Sequence, residues 1–275
     1  MAKHTIETGT KDLLAEVDGG VATLTMNRPD RRNALSGEML RAMADVLAAC
    51  ETDADVGCVV LTGAGGAFCA GGDVKGMAEG SFSAGGGTTL DEMVHRQRLS
   101  QRATSGRLYK MPKPTIASLP GAAAGAGLSL ALSCDLRIAA DNAVMTTAFA
   151  RVGFSGDYGG TFFMTRLVGA AKARELYYLS DRIDMKDAER LGLVNLVVPA
   201  AELAAKTLEL ARRLAAGPRI AYRYMKENLN RAVAGEVDDC LDLEATHHIH
   251  TGLTDDHREA ARAFVDKREP VFKGR

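Results

Sequence analysis

The sequence predicts an α/β chain in two stretches: short, mainly parallel strands alternating with helices over residues 1–199, then a helical region over 200–275. Three observations predict it. Short apolar runs recur at Val21–Met26, Gly57–Thr62, Thr115–Leu119 and Asp135–Ala139. Helical patterns lie between them, and such alternation calls for right-handed crossovers with parallel pairing. Beyond Pro199 the apolar spacing is helical throughout.

Taken in order, Leu13–Val17 and Val21–Met26 flank Asp18-Gly19-Gly20, the pattern of a hairpin. Ser36 stands where an N-cap belongs, before a helix whose Met39, Leu40, Met43, Val46 and Leu47 share one face. Gly57–Thr62 reads as a buried strand ending in the glycine turn Gly63–Gly66, and Asp73–Ala78 as a short helix. Ser81–Thr89 has few side chains to bury and predicts a flexible loop. Leu90–Met111 predicts one long helix, stopped by Pro112 and Pro114. Thr115–Leu119 is a strand with a turn at Pro120-Gly121, followed by a helix from about Ala126 to Ser133 and a strand at Asp135–Ala139. Thr161–Leu167 and Ala170–Leu179 predict two helices broken at Gly169; Met185–Leu191 is a short helix and Val194–Val198 a strand. Four helices follow, at Ala201–Leu214, Pro218–Val233, Val237–His250 and Asp255–Lys267. That tail is too long for a cap on the core and reads as a small second domain or an oligomerisation arm.

Composition narrows the function. Across 275 residues, 34 Lys+Arg against 35 Asp+Glu leave a net charge of −1, so no long-range field draws nucleic acid or an anionic membrane. Hydrophobic content of 46% and charged content of 25% fit a soluble globular chain. The cysteines are Cys50, Cys58, Cys69, Cys134 and Cys240, an odd number without C-x-x-C spacing. Reduced thiols and a cytoplasmic location are expected. No apolar run reaches the roughly 18 residues of a membrane span, and the N-terminus has no apolar signal core.

Several motifs compete. His247, His248 and His250 crowd one helix with Glu244, but no second Glu-x-x-His exists to complete a carboxylate-bridged metal site; a solvated or interface face is the better reading. Gly127-Leu128-Ser129-Leu130-Ala131 approximates a nucleophile elbow, yet it lies within a helix, not on its turn. Cys69 has no identifiable base and reads as a buried thiol. No P-loop or G-x-G-x-x-G occurs.

The stronger signal is repeated: strand, glycine turn, helix start. It occurs at Gly57–Thr62 with Ala67–Asp73, and at Thr115–Leu119 with Pro120–Gly127. Helix N-termini carry free N–H groups and positive dipole ends. Two facing one point would hold a negative oxygen. Tight packing between layers is the alternative, and spacing does not separate the two.

These residues resemble the crotonase (enoyl-CoA hydratase/isomerase) superfamily. Ala67-Phe68-Cys69-Ala70-Gly71-Gly72-Asp73-Val74-Lys75 is similar to its first oxyanion segment, and Lys113–Gly121 with Gly125-Ala126-Gly127 to its second. The likeness continues through Cys134–Asp141, Arg166–Gly169, Ala188–Val194 and Ala263–Arg268, six motifs in order over about residues 12–270. The resemblance implies a spiral of ββα units with a C-terminal helical trimerisation region, forming trimers or hexamers built as dimers of trimers. It also implies an acyl-CoA substrate, with no cofactor beyond the coenzyme A that the substrate carries.

By position, the resemblance assigns the two oxyanion N–H groups to Gly72 and Ala126. It assigns substrate and CoA contacts to Asn33, Ala34, Leu35, Ala70, Asp73 and Phe149, and to Phe264 and Lys267 near the C-terminus. Arg28 is added for the phosphates on charge alone. Typical hydratases of the family carry two glutamates, at the places of Ser129 and Phe149 here; both carboxylates are absent. Asp157 stands where relatives that isomerise double bonds, or attack an aromatic ring, carry an acid. It reads equally as an N-cap. The resemblance favours isomerisation through Asp157 over two-glutamate hydration. The alternatives are a catalytically weak acyl-CoA-binding homologue, a serine hydrolase or an RNA-binding member.

Overall fold

The computed structural model describes residues 3–78 and 89–275. The loop expected at Ser81–Thr89 lies outside these, except for Thr89. Leu13–Asp18 (β2) and Val21–Met26 (β3) form the predicted hairpin, turned by Gly19 and Gly20 at φ 58° and 82°. His4–Ile6 (β1) adds an antiparallel edge strand that the exposed, polar N-terminus did not signal. From β3 the sheet runs parallel through Cys58–Gly63 (β4), Thr115–Leu119 (β5), Leu136–Ala140 (β7) and Leu196–Val198 (β10). A smaller sheet joins Ala123–Ala124 (β6), Val144–Thr146 (β8) and Ile183–Asp184 (β9).

Both faces of the main sheet are covered, which is why its strands read as unbroken apolar runs. Val59 and Leu61 of β4 point into the larger core with Met39, Met43 and Leu47 of Gly37–Thr52 (α1). Cys58 and Val60 alternate to the other face, beneath Leu203, Ala211 and Ala215 of Leu203–Ala215 (α8). The first helix of the C-terminal region therefore lies on the sheet. Ser36 caps α1, its Oγ accepting from Met39 N at 3.1 Å.

Val74–Gly76 (α2) is the short helix after the first glycine turn. The long helix expected at Leu90–Met111 is two helices, Leu90–Ala103 (α3) and Ser105–Lys110 (α4), broken at Thr104 (φ −112°, ψ −91°). Thr104 Oγ1 donates to Ser100 O and Ser105 Oγ to Gln101 O; such back-bonding bends helices, and Gly106 follows. Ala126–Ser133 (α5) starts where the sequence placed it. Gly160–Leu179 (α6) is interrupted at Gly169 (φ 77°, ψ 162°), as predicted. Met185–Arg190 (α7) leads into β10.

Arg219–Ala232 (α9), Val237–Gly252 (α10) and Asp255–Asp266 (α11) complete the chain. The histidine face serves packing: His247 stacks on Tyr224 at 4.2 Å and bonds Asn228 Oδ1 through Nδ1. Buried Lys226 anchors α9, with Nζ donating to Leu108 O, Lys113 O and Asp135 Oδ2 at 2.9, 3.1 and 2.8 Å. Among the described residues no helix is long and apolar enough to cross a membrane. Lys226→Ala leaves Asp135 without its cation and should cost about 3 kcal/mol. Urea unfolding checks this; a loss below about 1 kcal/mol would show the pair to be solvent-screened.

Candidate active site

The parallel pairing of β4 with β5 puts both glycine turns at one sheet edge, where binding sites of parallel sheets form. They do more than share an edge. Phe68 N and Cys69 N donate to Ala122 O, and Ala124 N donates to Cys69 O, so the turns pair as a short parallel ladder. A Cβ on Gly127 would lie 2.4 Å from Cys69 O, and one on Gly121 would lie 2.1 Å from Gly66 O. Gly71 (φ 88°) passes so close that its Cβ would be 3.3 Å from Ala126 N. The question that spacing left open is answered: the turns face each other.

Two N–H groups are free at that meeting point. Among the described residues, neither Gly72 N nor Ala126 N has a hydrogen-bond partner. Ala126 opens α5 without positive φ, so alanine is accommodated beside Gly125, which holds φ 53°, ψ −127°. Leu35 N donates to Gly71 O and Ala70 N to Arg32 O, tying the first turn to residues 28–36.

That segment is braced by Asn33, fully buried at φ 57°. Its Nδ2 donates to Ala64 O and Ala67 O, and its Oδ1 accepts from Arg28 N. The Arg28 guanidinium is engaged by Ala34 O (2.7 Å), Asp73 Oδ2 (3.0 Å) and Asp12 (3.6 Å). Asp73 also caps α2 by accepting from Gly76 N. That bond, with Arg28, holds its carboxyl below the usual range. Ala34 and Leu35 are buried, whereas Ala70 is exposed beside the opening. Phe264 is 87% exposed on α11 and Lys267 ends that helix with φ 54°; neither belongs to the cluster formed within the chain.

Asp157 is not a helix cap. The N-cap of α6 is Gly159, with no side-chain hydrogen bond, and only the Asp157 carbonyl is used, accepting from Gly160 N. The turn instead winds through positive φ at Gly156, Tyr158 and Gly159, a conformation costly for tyrosine. Helix α3 holds it: Gln101 Oε1 accepts from Tyr158 N at 2.7 Å, and Ser100 Oγ lies 3.3 Å from the Tyr158 hydroxyl. The Asp157 carboxyl is left half-buried, and its Oδ1, shielded from solvent, has no hydrogen-bond partner among the described residues. Burial pushes its pKa up to about 6. Burial pushes the Cys69 thiol up to about 12, and the Asp157 charge adds to it, so Asp157 lies near the first glycine turn and Cys69 is an inert core thiol.

Sequence reasoning missed Tyr177. Burial raises its phenol, and the Asp157 charge acts in the same direction. Its ring stacks on Phe149 at 5.8 Å, and Phe149 touches the Gly125 position at 3.8 Å. Ser129 Oγ donates to Gly125 O. Ser129, Phe149, Asp157 and Tyr177 thus surround one region beside the second turn. No motif marks Tyr177; only its buried side of α6, after the Gly169 break, sets it apart from exposed Tyr178.

Two facing glycine turns with two unpartnered backbone donors are an arrangement that can hold a negative oxygen, and the half-buried Asp157 carboxyl lies on a later turn. The family model described as enoyl-CoA hydratase/isomerase matches residues 16–275. The chain belongs to the enoyl-CoA hydratase/isomerase family, within the crotonase superfamily. It is 37% identical over 263 residues to the 1,2-epoxyphenylacetyl-CoA isomerase of Escherichia coli, covering 96% of this chain and 98% of that one. It is 34% identical over 267 residues to the short-chain-enoyl-CoA hydratase of Clostridium acetobutylicum, with the same coverage of 96% and 98%. Among solved structures, enoyl-CoA hydratase from Bacillus anthracis superposes with a TM-score of 0.87 at 32% identity, over 96% of this chain and all of that one.

Gly127→Ala should force the turns apart while leaving helix content intact. Turnover is expected to fall by on the order of 10²-fold, measured beside circular dichroism. Retained turnover in a folded variant would show that the close approach is not required.

Proposed function

We propose that this enzyme moves a double bond or a proton within the acyl chain of a coenzyme A thioester, with Asp157 as the acid–base. The carbonyl oxygen sits between Gly72 N–H and Ala126 N–H. The Asp157 carboxylate takes a proton from the carbon α or γ to the thioester. The C–H electron pair moves into the enolate, whose oxygen charge the two N–H groups hold, and the proton returns to another carbon of the chain. Nothing is oxidised or reduced. The observation carrying this reading is the half-buried Asp157 carboxyl, released from any capping role and lacking a partner on Oδ1 among the described residues. Water addition through two carboxylates is disfavoured because Ser129 and Phe149 fill those places. Relatives bearing isomerase and hydratase names lie at comparable identity, so the distinction rests on these side chains. The exposed apolar residues of α9–α11, among them Leu229, Leu253 and Phe264, support a trimer or hexamer, in which Phe264 and Lys267 of one chain reach a neighbour's nucleotide.

Asp157→Asn should lower turnover on the order of 10²–10⁴-fold. Full activity on the true substrate, found by screening CoA thioesters by mass spectrometry, would sink the mechanism. The same change should raise stability. The carboxyl titrates at 3.8 in its ordinary state and about 6 when folded, so its contribution is fully present below 3.8 and lost as pH rises through 6. At pH 7.5 the asparagine variant should therefore gain on the order of 1–3 kcal/mol, read by denaturant unfolding. The wild-type rate should rise with pH and level off above about 6, because the base must be ionised. Light scattering should give a trimer or hexamer at micromolar concentration; a stable monomer would count against the assembly.

A further inference from the structure

The Asp157 turn is shaped around a single side chain. A Cβ on Gly160 would lie 2.4 Å from the Tyr177 hydroxyl and 2.3 Å from Ser129 Oγ. One on Gly156 would lie 3.1 Å from Tyr177 Cε1. Gly160 therefore leaves no room for a side chain beside Tyr177, and Gly156, next to Asp157, packs tightly on the same ring. On its far side the Tyr177 ring stacks on Phe149, with an interplanar angle of 14°. Phe149 in turn meets Gly125, the residue before the Ala126 N–H. Between the turn that carries the oxyanion donor and the turn that carries the carboxylate, the space is closed by two parallel rings and one serine hydroxyl. A water molecule needs room and two to four polar partners. Here the stacked faces of Phe149 and Tyr177 offer none, the Tyr177 hydroxyl lies against Gly160, and Ser129 Oγ donates to Gly125 O.

We propose that Tyr177 determines the reaction's outcome: its ring, wedged between Phe149 and the glycines around Asp157, occupies the place of a reacting water and confines the carboxylate to moving protons along the acyl chain. This rests on Asp157 being the acid–base. In the wild-type site the enolate has one fate, return of the proton to carbon. With the ring removed, a water beside Asp157 has a second route: its oxygen bonds to the β-carbon of a 2-enoyl thioester. The alkene electron pair moves toward the thioester, Asp157 accepts the water proton, and the α-carbon is then protonated. Atoms balance as alkene plus water giving 3-hydroxyacyl thioester.

The test incubates trans-2-hexenoyl-CoA and trans-3-hexenoyl-CoA with wild type, Tyr177→Val and Tyr177→Phe. Mass spectrometry and chromatography then give the ratio of 3-hydroxyhexanoyl-CoA to double-bond isomer. Parallel reactions in D2O measure deuterium entering the isomer. The valine variant should raise the hydration ratio at least tenfold and increase deuterium entry. The half-maximal pH of its rate should fall from about 6 as water reaches the carboxylate. Tyr177→Phe keeps the ring and should restore the wild-type ratio, which a general loss of packing would not do. If the valine variant is unstable, Tyr177→Leu is measured in its place. An unchanged ratio in a folded small-residue variant, or a phenylalanine variant that hydrates as the valine variant does, overturns the inference. Asp157→Asn separates this from the underlying mechanism. Chemistry that survives Asp157→Asn defeats the acid–base reading. Chemistry silenced by Asp157→Asn, together with a ratio indifferent to Tyr177, defeats the inference about Tyr177 alone.

Discussion

Backbone approach between the two glycine turns is the constraint on which the site depends. Parallel register places Leu61 of β4 beside Ala117 of β5, so both strands end at the same edge and their turns emerge together. The turns then pair through Cys69 and Ala123 at a separation that admits no side chain at Gly121 or Gly127. That separation sets the segments carrying Gly72 N–H and Ala126 N–H side by side. The surrounding residues serve the same end: Asn33 pins the first turn from beneath, Arg28 and Asp73 pin it from the side, and Thr146 O holds the Gly125 N–H of the second.

On the proposed mechanism, activation and chemistry are carried by different parts of the chain. The donors are main-chain groups that no substitution of their own side chains deletes. The proton acceptor and its surroundings are the side chains of residues 129, 149, 157 and 177, all on elements that follow the second turn. Partial burial, not a partner charge, displaces the Asp157 carboxyl upward. Keeping it so works against stability at neutral pH, a familiar tension at functional sites.

Much of the fold was legible. Apolar periodicity located the parallel strands, Ser36 announced α1, and Gly169 announced the break in α6. What escaped had physical causes. β1 is polar and exposed, and its pairing comes from a neighbour with a free edge. Thr104 divides a continuous helical pattern through a hydroxyl bonded one turn back, which periodicity does not register. Within the site, the glycine turns were readable because glycine has few uses, but their facing each other is a tertiary fact. Asp157 was visible as an acid and ambiguous as a cap; only the placement of Gly159 at the α6 N-terminus separates the two. Tyr177 was invisible because a tyrosine late in a helix has many uses, and the glycines that make room for it lie seventeen to twenty-one residues earlier.

The Lys226–Asp135 bond bears on the order in which the chain is made. Asp135 leads into β7, and its Oδ2 accepts from Thr115 N and Oγ1 as well as from Lys226, which is synthesised 91 residues later. Until α9 emerges, the Asp135 carboxylate is held by the Thr115 N–H and hydroxyl without the ammonium that later bonds it. The Lys226 ammonium group links α9 to α4 and to the start of β7, beside Asn230 Nδ2, which donates to Tyr109 O. Docking of α9 thus supplies the cation for a carboxylate laid down 91 residues earlier, at the base of the strand next to β5.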